Sequence, residues 1–171
     1  MKKRRKFQIR YILYILLAIF GAFEHKIQNY FAPSEIVMSD KTVKHEVTYR
    51  YILDGDTAVF RMNGEDVTVR FLAVDTPEID EEGYEEAKKY TDRMLRNARK
   101  ITLEMDPASP DHDKFERLLA WIWVDDDLLQ GKLIENDLAS ISYLFNEYLY
   151  TDYLYKKQDQ VKSEQNNVTT E

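Results

Sequence analysis

The chain has 171 residues, enough for one domain with extensions, and its 44% hydrophobic and 32% charged residues are typical of a globular protein. The first 23 residues carry six lysines and arginines and no acidic residue, which leaves 18 basic and 31 acidic residues elsewhere, a net charge of −13. Such an acidic body argues against broad electrostatic attraction to a polyanion, so that any nucleic-acid ligand must be held locally. The absence of cysteine excludes disulfides and thiolate metal sites.

The amino terminus predicts a signal peptide or membrane anchor over residues 1–23. A basic cluster at residues 2–6 precedes the 13 uncharged residues 11–23. As a helix these would cover roughly 20 Å, which suits a signal peptide but is short for a hydrocarbon core of ~30 Å. The cleavage signal at Gly21-Ala22 is poor, which leaves a cleaved signal and an uncleaved anchor open, with a buried core helix as the less favoured alternative. In both favoured cases the basic residues predict a bacterial domain that works outside the cytoplasm, secreted or anchored to the outer face of the plasma membrane.

The remainder of the chain alternates between strand-like and helix-like patterns. Residues 24–42 mix charged residues with Pro33 and show no hydrophobic period, which indicates a linker. From residue 43 apolar and polar residues alternate, as in a β-strand, until Asp54-Gly55 breaks the run. The next predicted elements are strands at 57–62 and 67–74, a helix at 85–100, strands at 101–105 and 118–124 around a loop at 106–116, a short helix at 128–138, an extended piece at 140–145 and a helix at 147–162. The polar tail, 163–171, is predicted to be disordered.

Asn63-Gly64 is the strongest short hairpin signal in the chain. With these two residues as the turn, Met62 faces Glu65, and counting back places Thr57 opposite Arg70. Asp56 and Arg70 are therefore predicted to lie at the same end of one hairpin. Whether they share a face stays open, because a single bulge would reverse it.

These elements predict an α+β fold over residues 43–162, a small five-stranded OB-fold β-barrel with helices packed outside and an N-terminal hydrophobic helix before it. Several short strands with one helix inserted among them are typical of such a barrel. The OB-fold carries nucleic-acid ligands across its strand face and loops, which directs attention to the polar residues at the strand ends.

Three motifs place acidic and arginine side chains at such strand ends. They are Asp54-Gly55-Asp56-Thr57, the stretch RFLAVDTPE at residues 70–78, and DKFER at residues 113–117. Carboxylates suit a hard cation and arginines suit a phosphate, which together favour a metal-dependent nuclease. Each motif alone has a plain alternative, such as a tight turn or a surface ion pair between Arg117 and Asp113 or Glu116.

In this order, with a hairpin between the first two, the motifs make residues 51–145 resemble the staphylococcal nuclease (thermonuclease) family. The resemblance implies that Asp56 and Asp75 are carboxylate ligands of Ca²⁺, with the backbone carbonyl of Thr76 as the third protein ligand. Calcium accepts such oxygen-only ligand sets and leaves positions for water. Asp54 is expected to hold metal-bound water from outside the ligand set.

The catalytic roles implied by the resemblance belong to three residues. Glu78 would orient or deprotonate the attacking water, and Arg70 and Arg117 would bind the scissile phosphate and stabilise its developing charge. The resemblance further implies endonucleolytic cleavage to products that end in 3′-phosphates.

Substrate contacts are implied for one lysine and three aromatic residues. Lys114 would approach a terminal phosphate, while Phe115, Tyr143 and Phe145 would lie against nucleotide rings. Stacking on aromatic side chains tolerates any base, which fits a broad specificity. Packing in the core or on the surface is an equally simple explanation of these aromatics.

Two features depart from the family pattern. Glu116 stands where the family usually has glycine, beside Arg117, and the stretch 79–83 is short and acidic where well-studied members have a longer, lysine-containing loop. Both changes weaken the attraction of a polyanionic substrate.

Two hypotheses follow. The first is a Ca²⁺-dependent extracytoplasmic nuclease whose substrates are DNA and, as a second expectation, RNA, tethered to the membrane if the leader stays uncleaved. The second is a catalytically weak or inactive membrane-tethered module with the same fold that binds a partner or serves as a scaffold. No motif points to an obligate protein partner.

Overall fold

The computed structural model describes residues 36–142 and 148–168. The elements in chain order are β1 (Lys44–Asp54), β2 (Thr57–Met62), β3 (Glu65–Phe71), β4 (Val74–Asp75), α1 (Tyr84–Asn97), β5 (Ile101–Glu104), β6 (Leu118–Val124), β7 (Asp127–Leu128), α2 (Leu129–Glu135), β8 (Ser140–Ile141) and α3 (Thr151–Val168). The predicted leader, residues 1–23, lies outside the described residues. Within the described ranges, no helix is long and apolar enough to cross a membrane.

Five strands close into a barrel. Antiparallel pairs join them in the order β3, β2, β1, β5, β6, and the parallel pairing of β3 with β6 closes the ring. The short β7 extends β6 at one edge. The prediction of an α+β fold with a five-stranded barrel and additional helices is therefore confirmed, and the arrangement is consistent with an OB-fold.

The hairpin of β2 and β3 has the predicted register. Met62 pairs with Glu65 and Thr57 with Arg70. Asn63 and Gly64 have φ angles of 51° and 89°, and two such left-handed residues form the turn whose twist matches that of the flanking strands. The far end of the hairpin therefore carries both Asp56 and Arg70.

The predicted strand 67–74 is wrong at its carboxyl end. β3 stops at Phe71, and a turn with Ala73 in a left-handed conformation (φ 64°) separates it from the two-residue strand β4. β4 leaves the barrel and pairs with β8, where Asp75 lies opposite Ser140. This reversal directs the chain from Arg70 back over the end of the hairpin.

Helix and tail boundaries also differ from the predictions. α1 ends at Asn97 rather than at residue 100, because Ala98 is extended (ψ 136°). α3 begins at Thr151 and continues to Val168, so residues 163–168 of the predicted disordered tail are helical. Residues 143–147 lie outside the described residues.

A buried carboxylate joins the barrel to the segment before it. Glu104, at the end of β5, is fully buried. Its oxygens accept hydrogen bonds from the Ser39 N–H, the Thr42 hydroxyl, the Trp123 indole and the Tyr150 hydroxyl. Four donors replace the lost water, which makes this burial tolerable without a cation. Part of the predicted linker, Ser39 and Thr42, is thus bound to the barrel.

Asp106 is a second buried carboxylate, at the start of the loop between β5 and β6. It is 4% exposed and accepts hydrogen bonds from the Trp121 indole (2.8 Å), the Leu149 N–H (2.8 Å) and the Ala108 N–H (2.9 Å). The loop that continues to residue 117 is therefore attached to the core at its first residue.

Candidate active site

The turn between β1 and β2 presents Asp56, and Gly55 makes this turn compact. A Cβ at Gly55 would lie 2.6 Å from Thr76 Oγ1 and 2.8 Å from its Cβ, so any side chain there would displace Thr76. Because Thr76 packs against the turn, its N–H and hydroxyl donate to Asp56 Oδ2 at 2.9 and 3.2 Å. The Thr57 hydroxyl donates to Oδ1 at 3.0 Å. Asp56 is thus held in one orientation.

Asp56 is also electrostatically unusual. It is 4% exposed, and burial raises the pKa of its carboxyl, although Arg70, Thr76 and Thr57 act to lower it. Ionised Asp56 is therefore incompletely compensated by the protein alone. A cation bound beside it would remove this cost.

Arg70 connects Asp56 with Asp75. Its Nη1 lies 3.0 Å from Asp56 Oδ2 and its Nη2 lies 2.8 Å from Asp75 Oδ1. Nη1 also donates to the carbonyl oxygen of Val74 at 2.8 Å, and the guanidinium is largely buried. The two acidic residues, 19 positions apart in sequence, are thereby brought around one cationic group.

Glu78 lies on the exposed turn that follows β4. Its N–H donates to Glu81 Oε2 at 2.8 Å, and the N–H of Glu81 donates to the Glu78 carbonyl oxygen at 2.8 Å. These two bonds fix the backbone of Glu78 and leave its side chain exposed to solvent.

The loop before β6 places Arg117 opposite these groups. Nε of Arg117 donates to Asp113 Oδ2 at 2.7 Å, and Nη2 lies 2.6 Å from the same oxygen in an ion pair. Glu116 has φ 62°, the left-handed conformation that glycine adopts without strain. Phe115 is 65% exposed, with Lys114 Nζ 4.9 Å and Arg117 Cζ 5.4 Å from its ring centre.

These segments enclose one cleft of about 800 Å³. The predicted site residues that line it are Asp54, Asp56, Arg70, Asp75, Glu78, Lys114, Phe115 and Arg117. Thr76 is buried behind Asp56. Tyr143 and Phe145 lie outside the described residues. The structure thus brings together polar side chains from four separate parts of the chain.

His112 and Tyr148 line the same cleft, although neither was predicted as a site residue. No motif identified either residue. Asp113 was part of the third motif but entered only as an alternative partner of Arg117. The spacing of four between Asp113 and Arg117 was the one signal for this contact.

The chemistry of the donor set fits a hard cation. Asp56 and Asp75 supply oxygen only, and the raised pKa of buried Asp56 indicates negative charge in need of compensation. In the part of the chain that the structure describes, no three histidine, aspartate or glutamate side chains converge to hold a metal by themselves. A cation here would therefore also need backbone or water oxygens, for which the Thr76 carbonyl is the predicted donor.

The fold and the cleft together define a small OB-type barrel protein with an acidic, arginine-containing cleft at the end of its central hairpin. The sequence model of the family described as "Staphylococcal nuclease homologue" matches residues 68–169. The chain belongs to the staphylococcal nuclease family.

Individual relatives agree with this assignment. The chain is 33% identical over 120 residues to the SPbeta prophage-derived endonuclease YokF of Bacillus subtilis (strain 168), covering 67% of this chain and 40% of the relative. It is 36% identical over 104 residues to endonuclease YncB of the same strain, covering 58% and 49%. It is 33% identical over 98 residues to the thermonuclease of Staphylococcus intermedius, covering 54% and 56%. The chain thus spans about half the length of these relatives.

Proposed function

We propose that this protein is a Ca²⁺-dependent nuclease that hydrolyses phosphodiester bonds of DNA and RNA outside the cytoplasm. The convergence of Asp56, Asp75, Arg70, Glu78 and Arg117 on one cleft carries the proposal. Family membership and the two Bacillus endonucleases support it.

The two arginines supply fixed positive charge where the reaction develops negative charge. A phosphodiester is anionic and gains further negative charge as it is attacked, so fixed positive charge at that point lowers the barrier. Arginine keeps its charge at any working pH and presents paired N–H groups to phosphate oxygens. Arg70 and Arg117 line the same cleft, and loss of one such donor commonly costs ~10²–10³ in rate.

Asp56, Asp75 and the Thr76 carbonyl are the proposed residues for Ca²⁺. When bound, the ion would supply a second positive charge next to the phosphate. Thr57 and Thr76 hold the Asp56 carboxylate in place by hydrogen bonds, which reduces the reorganisation that binding requires.

Glu78 is the proposed group that orients the attacking water. Its side chain is exposed at the cleft wall while Glu81 holds its backbone, so that it can accept a hydrogen bond from water without leaving the site. Attack with departure of the 5′ oxygen would leave a 3′-phosphate on the product.

The test is a cleavage assay of the full chain on end-labelled single-stranded DNA and RNA, with Ca²⁺ or with chelator. The expected result is Ca²⁺-dependent endonucleolytic cleavage, with 3′-phosphates identified by a phosphatase-dependent change in product mobility. The Glu78→Gln variant is the control. Equal degradation by the parent and this variant would reject the proposed site.

The extracytoplasmic location is supported by the basic and then apolar pattern of residues 1–23. Expression of the full chain in a bacterium, followed by protease treatment of intact cells or protoplasts, tests it. We expect the nuclease body to be found in the medium or to be digested from outside. Protection of the whole body from protease would overturn the location.

The second candidate function is a non-catalytic binding module. The net charge of −13 outside the leader favours it, as does the pairing of Arg70 and Arg117 with carboxylates of the protein itself. Turnover by the parent that disappears in Arg70→Ala excludes this candidate. Binding of an oligonucleotide with no cleavage in Ca²⁺ supports it.

A further inference from the structure

Asp113 makes a dense set of contacts for which the proposed mechanism has no role. Oδ2 accepts a hydrogen bond from Nε of Arg117 at 2.7 Å, and Nη2 of the same guanidinium lies 2.6 Å from Oδ2 in an ion pair. Oδ1 accepts hydrogen bonds from the backbone N–H groups of Phe115 and Arg117 at 2.9 and 3.0 Å. Both carboxylate oxygens are thus used within one five-residue loop.

These contacts occupy only one edge of the Arg117 guanidinium. Among the described residues, Nη1 of Arg117 has no hydrogen-bond partner, and the side chain lines the cleft at 30% exposure. Because the guanidinium is planar, the Nε hydrogen bond and the Nη2 ion pair along one edge fix the direction of the opposite edge.

We propose that Asp113 is a positioning residue of the nuclease, which aligns Arg117 so that its Nη1 edge meets the substrate phosphate. This inference rests on the proposed function. If a phosphate-binding group already has its productive orientation before substrate binds, less free energy is lost in ordering that group during the reaction.

The charge state of Asp113 agrees with this role. Burial acts to raise the pKa of Asp113, but the hydrogen bonds from Arg117 and the backbone of Phe115 outweigh it and hold the pKa below its usual range. Asp113 therefore stays ionised and paired throughout the neutral range.

The loop also has backbone hydrogen bonds that do not involve the guanidinium. The Asp113 N–H donates to the Arg117 carbonyl oxygen at 3.0 Å, and the Leu119 N–H donates to the Asp111 carbonyl oxygen at 2.9 Å. Asp113→Asn keeps an acceptor at Oδ1 for the two backbone N–H groups and replaces the acceptor facing the guanidinium by an amide donor. This variant therefore separates alignment of Arg117 from folding of the loop.

The experiment compares the kinetics of the parent, Asp113→Asn and Asp111→Asn on a single-stranded oligonucleotide. Asp111 is exposed, lies two residues away and is not part of the cleft lining, so its variant removes the same charge from the same loop. We expect kcat to fall about 10-fold to 100-fold in Asp113→Asn, as for loss of an outer hydrogen-bond partner, and to stay within about twofold in Asp111→Asn. KM should change little in either variant. Asp113→Asn should lower Tm by only a few degrees, because the side chain is partly exposed, so that the protein stays folded in the assay.

A double-mutant cycle with Arg117→Ala identifies the route of the effect. If Asp113 acts through Arg117, adding Asp113→Asn to Arg117→Ala changes kcat by less than about twofold. An equally large loss in both backgrounds, or a fall in kcat that only follows a fall in Tm, would overturn the proposal.

A readout without turnover keeps this inference separate from the proposed function. The Arg117 Nε–H, assigned by NMR through its loss in Arg117→Lys, should exchange slowly with water in the parent and rapidly in Asp113→Asn. Slow exchange in a parent without nuclease activity would reject the proposed function and retain the alignment of Arg117. Rapid exchange in the parent would overturn the alignment, whatever the activity.

Discussion

At the scale of single residues, the ionised form of Asp56 that the proposed metal binding requires also lowers the stability of the fold. Its pKa is raised by burial, so the folded state binds the proton more tightly than the unfolded state, and ionised Asp56 costs stability at neutral pH. In chelator we expect Asp56→Asn to unfold at the parent's temperature or up to roughly 4 °C higher at pH 7. This difference should shrink as the pH falls through the folded-state pKa of Asp56. Thermal unfolding followed by circular dichroism at several pH values measures it.

The same pair of proteins reports on the metal. A ligand at 100 times its Kd adds about 2.7 kcal/mol of stability, so Ca²⁺ should raise the Tm of the parent by several degrees but not that of Asp56→Asn. Asp126→Asn, which removes an exposed carboxylate in a turn, is the matched control and should respond like the parent. An equal Ca²⁺ response in Asp56→Asn would remove Asp56 from the metal site.

Glu116 has a backbone conformation that suits glycine, the residue that the family pattern predicts at this position. A non-glycine residue at φ 62° carries strain of roughly 1–2 kcal/mol, which glycine would relieve. Because glycine also makes the unfolded chain more flexible, about 0.4–1 kcal/mol of this stabilisation is offset. We expect Glu116→Gly to raise the free energy of unfolding by about 0.5–1 kcal/mol in urea titrations. Glu116→Ala, which removes the charge but keeps Cβ, should show no such gain. A loss of stability in the glycine variant would contradict the strain.

At the scale of elements, the contact between the β1–β2 turn and Thr76 joins two motifs. A Cβ at Gly55 would lie 2.6 Å from Thr76 Oγ1, so Gly55→Ala should cost about 1–3 kcal/mol and reduce activity by displacing Thr76 from Asp56. Gly64→Ala at the opposite end of the hairpin has open space but a φ of 89°, and should lower Tm while sparing kcat. Urea titration and kinetics of both variants check this. Full activity of Gly55→Ala would show that Thr76 does not position Asp56.

The buried carboxylate of Glu104 is the second element-level feature. Glu104→Gln replaces one acceptor by a donor and leaves either the Trp123 indole N–H or the Ser39 N–H without its acceptor, which should cost about 2–3 kcal/mol. Glu46→Gln on the exposed side of β1 loses only a surface ion pair with Lys100 and should change stability by less than about 1 kcal/mol. Denaturant unfolding separates the two. Equal small effects would mean that the Glu104 network contributes little.

The elements also show what the sequence could and could not reveal. The hairpin register was predictable because Asn63-Gly64 permits one turn type, and the turn then sets every cross-strand pair. The turn at Ala73 was not, since an alanine in a left-handed conformation has no sequence signal. The pairing of β4 with β8 involves two residues on each side and depends on tertiary contacts.

The buried carboxylates illustrate a different limit. Charged residues are rarely fully buried, and no pattern in the sequence marked Glu104 or Asp106 as exceptions. Their donors come from Trp123, Tyr150 and Trp121, which are distant in sequence and approach only in the folded barrel. By contrast, the residues of the cleft could be named because ordered motifs marked them.

At the scale of the whole molecule, the charge distribution limits how the proposed enzyme holds its substrate. With a net charge of −13 outside residues 1–23, attraction is restricted to the few cations of the cleft, Arg70, Lys114 and Arg117. Substrate must therefore be bound through local contacts rather than by a broad basic surface. The proposed hydrolysis therefore requires these local groups to act together with Asp56 and Glu78 as one site.

The most direct test is single-turnover cleavage of a single-stranded oligonucleotide by the full chain in Ca²⁺, comparing the parent with Arg70→Ala and Glu78→Gln. We expect cleavage by the parent that chelator abolishes, and a loss of about 10²-fold or more in each variant. Asp111→Asn should cleave at the parent's rate. Absence of cleavage by the folded parent, or rates unchanged by both cleft variants, would contradict a hydrolytic site in this cleft.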